Sequence, residues 1–389
     1  MRNLMIPREP TNDPAALPLD RAWLRATFDI ERPCTIGLEE ELMLLDPATL
    51  DLAPCASETI AAMGGDKRFK LELVAAQIES VTVPVQTVSR AAAALSAARR
   101  DLQAALEDTT LVAGAGMHPF ADPLGELNDG LRYEALSEEF ASVARRQLVF
   151  GLHVHVAVSG AARAIAVHDA LRSYLPEIAA LGANAPFYDG RDSGLASVRP
   201  TIVTALPRQG IPPALRSWDA FLAALSWAAN AGALPDPRRW WWDLRLHPIH
   251  GTIEVRVLDT QTTVSETAAI AALVHALVAT LAERFDAGAC LPVAPTWRIA
   301  ENRWWATRDG LDARLADLLT GERTAVRERL HALLDEVAPA AQRLGCAAEL
   351  DDARALVDGR GGAGHQREVA QSDGLGGLVA WLADQLLFG

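Results

Sequence analysis

Lysine is almost missing from this 389-residue chain: Lys67 and Lys70 stand alone among 36 basic residues. Beside so much alanine, the imbalance reads as a composition bias rather than as chemistry. Cysteine is scarce as well. Cys34, Cys55, Cys290 and Cys346 are scattered without close spacing, which argues against a disulfide framework or a thiolate zinc site. Long apolar runs are lacking, since the best candidate, 268–281, contains His275 and falls short of a bilayer span. No membrane partner is therefore expected. The first residues, Met1-Arg2-Asn3-Leu4-Met5, lack the apolar core and cleavage site of a signal peptide, so a cytoplasmic location is expected. Net positive charge is also absent. A formal charge of -14 argues against nucleic acid as the main partner. Small anionic substrates stay open, because local arginines or bound cations can outweigh the global field.

What the chain has is the balance of an ordinary globular protein, half apolar and 22% charged. No repeat and no convincing linker divides it. The reading is a lead-in with a short helix over 1–31, then one catalytic domain over 32–389 with a helical C-terminal part. Hydrophobic periodicity predicts strands over 35–45, 111–117 and 148–158 and around Glu254, with a strand, break, strand pattern over 69–85. Helices are expected at 20–28, 87–108, 132–146, 161–183, 215–231 and 264–285. The irregular stretch 185–213 is longer than most loops and carries Arg191, Asp192, Ser193, Arg199 and Arg208. Its length draws attention to function. The run Gly359 to Gly364 lacks the Lys-Ser/Thr of a phosphate loop and reads as a flexible hinge.

The chemistry lies on three short strands. In Thr252 to Asp259, Ile253, Val255 and Val257 point one way, and Glu254, Arg256 and Leu258 the other. In the first strand, Leu38, Glu40 and Leu42 share a face, while Glu39, Glu41 and Met43 share the opposite one. In the stretch from Gly151, His153 and His155 lie together. Glu72 and Glu79 complete the set. So many acids on one sheet face need cations to neutralise them. Carboxylates suit Mg2+ or Mn2+, and an added imidazole suits a phosphoryl-transfer centre. Two other readings compete. A zinc-dependent metallohydrolase would use His153 and His155 as ligands. A non-catalytic protein would bind a small anion through its arginines.

Four segments then carry a resemblance. Gly37-Leu38-Glu39-Glu40-Glu41, Gln77-Ile78-Glu79-Ser80-Val81-Thr82, Gly151-Leu152-His153-Val154-His155 and Thr252-Ile253-Glu254-Val255-Arg256-Val257-Leu258-Asp259 occur in that order. They resemble the carboxylate-amine ligase family, the short-chain branch of the glutamate–cysteine ligases also called type 2. The likeness extends to 193–200 and 242–245. It implies an α+β fold related to glutamine synthetase. A curved, mostly antiparallel sheet would carry the site on its concave face, with helices on the other. It further implies ATP with Mg2+, or Mn2+, small-molecule carboxylate and amine substrates, and a homodimer. The default product would be γ-glutamylcysteine.

Carried over by position, Glu39, Glu41, Glu79, His153 and Glu254 look like the metal ligands. Glu72 corresponds less closely to a further acid contacting metal or the substrate amine. Arg256 looks like the arginine aimed at the transferring phosphate, with Glu254 beside it as its catalytic partner. Arg199 and Arg245 look like clamps for a phosphate or a substrate carboxylate. His155 looks like an orienting neighbour. The chemistry implied is an acyl phosphate formed from ATP and then attacked by an amine.

Overall fold

A computed structural model describes residues 21–106, 109–234 and 236–387. Its centre is a seven-stranded antiparallel sheet. The strands are β1 (Ile36–Leu45), β2 (Phe69–Leu71), β3 (Gln77–Val81), β4 (Leu111–Ala113) and β5 (Gly151–Ala157). A two-residue hairpin, β6 (Phe187–Tyr188) and β7 (Arg191–Asp192), lies apart, and β8 (Leu244–His247) and β9 (Thr252–Asp259) complete the sheet. The order is β2-β3-β1-β5-β9-β8, with β4 also paired to β1. The three glutamates therefore sit on a central strand flanked by β3 and β5.

One face of the sheet is apolar and packs on helices. Leu38, Leu152, Val154, Ile253 and Val255 share a single core with Leu273 and Leu277 of the helix Val264–Asp286. That helix starts cleanly because Thr263 and Glu266 cap each other: Thr263 N donates to Glu266 Oε2 at 2.9 Å, and Glu266 N to Thr263 Oγ1 at 3.2 Å. It is longer than the 268–281 run and, by length and composition, could cross a bilayer; most of it is instead buried in the core. The short helix Arg21–Asp29 joins the same core through Leu24 and Phe28. Glu40 also points to this helical side, where Arg99 meets it.

Several expected elements are interrupted. The helix expected over 132–146 breaks at Ala141, whose φ is 49°, into Leu131–Phe140 and Ser142–Arg145. The one expected over 161–183 ends at Leu171 and resumes at Leu175–Leu181 beyond a 3-10 turn. Gly361 to Gly364 is no hinge: it forms the first turn of Gly361–Gln385, and Gly362 lies tight against Asn184. The break in that helix falls later, at Gly374, with φ 71°. In β9, a register shift against β5 turns Leu258 into the core opposite Leu152 and leaves Asp259 opposite Gly151. Leu258 therefore does not share the face of Glu254 and Arg256. A bulge re-aims everything after it.

Candidate active site

Strand register assembles the polar face. Glu41 stands opposite Glu79, Glu39 opposite His153, His155 opposite Glu254, and Glu254 opposite Arg245. Opposed residues of an antiparallel pair share a face, so five strands deliver one continuous charged surface. Glu39 is its hub. Its Oε2 lies 3.2 Å from His153 Nδ1 and 3.4 Å from His155 Nε2. His155 Nε2 is also 3.8 Å from Glu254 Oε1, and its Nδ1 is fixed by Thr252 Oγ1 at 3.0 Å.

Glu254, fully buried, is gripped by two arginines. Arg245 meets both of its oxygens, with Nη2 donating to Oε1 at 3.1 Å, and Arg256 Nη1 donates to Oε1. Arg256 Nη1 also lies 3.4 Å from His153 Nδ1. At the other end of the face, Glu41 accepts from the amide of Gly151. A side chain at Gly151 would overlap the Arg199 guanidinium and push it from its present place, so glycine here leaves room for that group. Arg199 reaches toward Asp259 Oδ1 at 3.9 Å, and Asp259 is held by the amide of Asn184 at 2.7 Å and Ser197 Oγ at 3.0 Å.

The electrostatics divide the acids. Burial opposes ionisation of Glu254, but Arg245 and Arg256 overcome it and hold the carboxyl well below its usual range. Burial likewise opposes Glu39, and His155 and His153 hold it down. Glu79 goes the other way: burial, then the charges of Glu39 and Glu72, push it well above the ordinary value. Burial also raises Glu72 and Glu41. The face thus carries more carboxylate than its own cations neutralise.

Among the described residues, two groups of ligand atoms are compact enough to hold an ion: Glu39, His155 and Glu254, and Glu39, Glu79 and His153, each set lying within 4.8 Å. His153 Nε2 is buried without a hydrogen-bond partner, a costly state unless something else engages it, and His155 Nε2 has only the long approaches of Glu39 and Glu254. The donor set of carboxylates with imidazole fits a divalent cation of the Mg2+ or Mn2+ kind.

Of the residues expected from sequence, Glu39, Glu79, His153, Glu254, Arg245 and Arg256 come together around this centre. Glu41, Glu72 and Arg199 line the adjoining cleft, with His153 and Arg256 common to both regions. His155, first assigned an orienting role, belongs to one of the two ligand groups. Lys70, dismissed with the composition bias, stands opposite Glu79 with Nζ 3.6 Å from Oε2. Its position two residues before Glu72 was a signal available beforehand. His247 and His250, stacked at 4.2 Å and edge-on to His155, were also overlooked. Of the loop arginines, Arg191 pairs locally with Asp189, and Arg208 lies over Trp241.

The fold is shared with solved ligases. A glutamate–cysteine ligase from Francisella tularensis, crystallised in complex with AMP, superposes with a TM-score of 0.66 at 13% identity, covering 92% of this chain and 93% of that one. A bifunctional glutathione synthetase from Pasteurella multocida gives 0.69 at 16% identity, over 94% of this chain and 53% of that one. At these identities the likeness is one of fold. Sequence carries the identification further. The model of glutamate–cysteine ligase family 2 matches residues 35–378. The "Putative glutamate–cysteine ligase 2-3" of Rubrobacter xylanophilus is 38% identical, covering 93% of this chain and 99% of the relative. The "Putative glutamate–cysteine ligase 2" of Thermobifida fusca is 36% identical, with 92% of each chain covered. The chain belongs to glutamate–cysteine ligase family 2. It is thereby a ligase of the class that forms C–N bonds, and the zinc hydrolase and non-catalytic readings fall. The geometry agrees, since His153 and His155 lie in different ligand groups, and carboxylates outnumber them.

Proposed function

We propose that this ligase joins a carboxylate, glutamate by family default, to an amine at the expense of ATP, through an acyl phosphate. The observation that carries the reading is the double ligand group sharing Glu39, set directly beside Arg256. Glu39, Glu79, His153 and Glu254, joined by His155, would hold the divalent cations, with Glu41 next to them on the same face. Bound there, such cations neutralise the polyphosphate and polarise the phosphoryl group.

The chain's own groups do the rest. Arg256 is half-buried and anchored through one nitrogen to Glu254, while its Nε is unpartnered. It is therefore pre-aimed to stabilise charge on the transferring phosphoryl group. Arg245 takes no direct part: its guanidinium is occupied by Glu254 and by the carbonyls of Arg238 and Trp240, so it acts by fixing Glu254. Arg199, which lines the cleft with its Nε unpartnered, is the clamp for a substrate carboxylate or phosphate. A carboxylate oxygen attacks the γ-phosphorus and ADP departs. The amine nitrogen then attacks the acyl carbon, phosphate leaves, and one proton is released overall.

ADP release from ATP and Mg2+, with glutamate present and amines added singly, tests this reading. Release that needs both glutamate and one amine supports it. Release independent of any carboxylate and amine, or none with any pair, counts against it.

A further inference from the structure

A cleft opens beside the charged face, shares Glu41, His153 and Arg256 with it, and adds apolar side chains that the face lacks. Its floor is Glu72, His153, Arg199 and Arg256. Its walls are mixed, with Gln77, Gln147, Gln209 and Asp243 set among apolar side chains. Leu136, Phe140, Val149, Val203, Leu206 and Trp241, all half-buried, line it from four separate segments. Trp241 is held in place on both sides. Phe140 meets it edge-on at 5.8 Å, and the guanidinium groups of Arg208 and Arg239 lie 5.5 and 5.3 Å from its ring centre. Arg239 is itself tied to Glu139 at 2.6 Å. The wall is therefore preformed, the usual condition of a specific small-molecule pocket. At the rim, Arg132 is exposed and makes no ion pair among the described residues.

We propose that this cleft seats the amine substrate, and that the preferred amine is an amino acid with a bulky apolar side chain, larger than cysteine. The inference rests on the ligase reading and names its acceptor. The floor and rim offer an acid, Glu72, for an ammonium group and cations, Arg132 and Arg199, for a carboxylate. That is the complement of a zwitterion. The six wall residues then need a partner that a CH2–SH group is too small to cover. Glutamate fits the walls poorly, because it is charged at both ends with only two methylenes between. A nucleotide base would suit the walls, but its phosphates would have to pass Glu72, which belongs to neither compact ligand group. Each methylene that finds an apolar wall improves discrimination about tenfold or more, so the difference from cysteine is measurable.

Binding of phenylalanine, leucine and cysteine, measured by calorimetry on the full chain with Mg2+ and a non-hydrolysable ATP analogue, tests the assignment without needing turnover. Phenylalanine or leucine should bind at least about tenfold more tightly than cysteine. Leu206→Trp, which fills the cleft, should weaken that binding at least about tenfold while the affinity for the ATP analogue holds. Val203→Trp serves the same purpose should the first variant not fold. Tightest binding of cysteine overturns the proposal, as does a loss of nucleotide rather than amino-acid affinity in the filled variants. Tight binding of an apolar amino acid with no ADP release in its presence would leave the cleft assignment standing and remove the ligase reading.

Discussion

Glu40 and its neighbours Glu39 and Glu41 differ only in which way the pleat of β1 turns them, yet they meet opposite fates. Glu40 enters the helical side and is fully matched. Arg99 donates to its two oxygens at 2.9 and 2.6 Å, and the remaining donors of Arg99 find the carbonyls of Thr262, Gln261 and Leu386. Both side chains are essentially inaccessible. Glu39 and Glu41 enter the open face, where acids crowd, an imidazole nitrogen of His153 lacks a partner, and the carboxyls of Glu79 and Glu41 rise above their usual range. A satisfied buried pair fixes structure; an unsatisfied cluster beside a cleft is poised for a ligand. Burial of charge alone identifies nothing. What distinguishes a site is charge left uncompensated.

The sharpest way to break the comparison is on the open face. Glu254→Gln should lower kcat by about a thousandfold, because a cation ligand and the anchor of Arg256 go together, while far-UV circular dichroism keeps its native form. Near-normal turnover in that variant would remove Glu254 from the chemistry. On the other face, Glu40→Gln should cost about 3–5 kcal/mol of stability, since it strands Arg99 in the core. Denaturant unfolding would measure this, and the protein that stays folded should turn over ATP normally. A Glu40→Leu, Arg99→Met double variant should recover much of the loss.

How much of this was legible beforehand follows from the physics of each element. The polar strand faces could be read because a two-residue period exposes them locally, as at Glu39, Glu41, His153 and His155. The fate of Glu40 could not, because its partner Arg99 lies on a helix 59 positions away. Leu258 was misdirected by a register shift, which depends on the neighbouring strand and leaves no periodic trace. The cleft wall was hidden for the same reason. Its residues come from segments read separately as helix, strand or loop, so no local pattern brings Trp241 beside Leu136, Val149 and Leu206. The helix break at Ala141 has no Pro or Gly to announce it.

Smaller effects sharpen the account of the two ligand groups. His153→Asn and His155→Asn each remove a member of one group, so each should weaken Mn2+ binding at one position only. Titration followed by paramagnetic resonance would count the ions. Loss of both ions from either variant would mean that the two groups are not separate. The pH dependence is subtler. In the metal-free protein, burial and then the charges of Glu39 and Glu72 raise the Glu79 carboxyl well above its ordinary range. The unfolded chain ionises this group at its ordinary value near 4.5, so the folded state binds the extra proton above that pH. Its contribution to stability is therefore present at low pH and lost as pH rises toward the raised value. A cation must displace that proton, so metal affinity should increase with pH across the same window. Thermal shifts by Mg2+ that stay constant from acid to neutral pH would contradict the sign.

The most direct test counts ions against single glutamates of β1. Glu39 belongs to both ligand groups and Glu40 to neither. The account predicts about two Mn2+ ions on the wild-type chain, with the loss of tight binding at both positions in Glu39→Gln, and the wild-type count in folded Glu40→Gln. Unchanged metal binding in Glu39→Gln, or equal losses in the two variants, would contradict the claim that the open face of the sheet is the metal centre of this ligase.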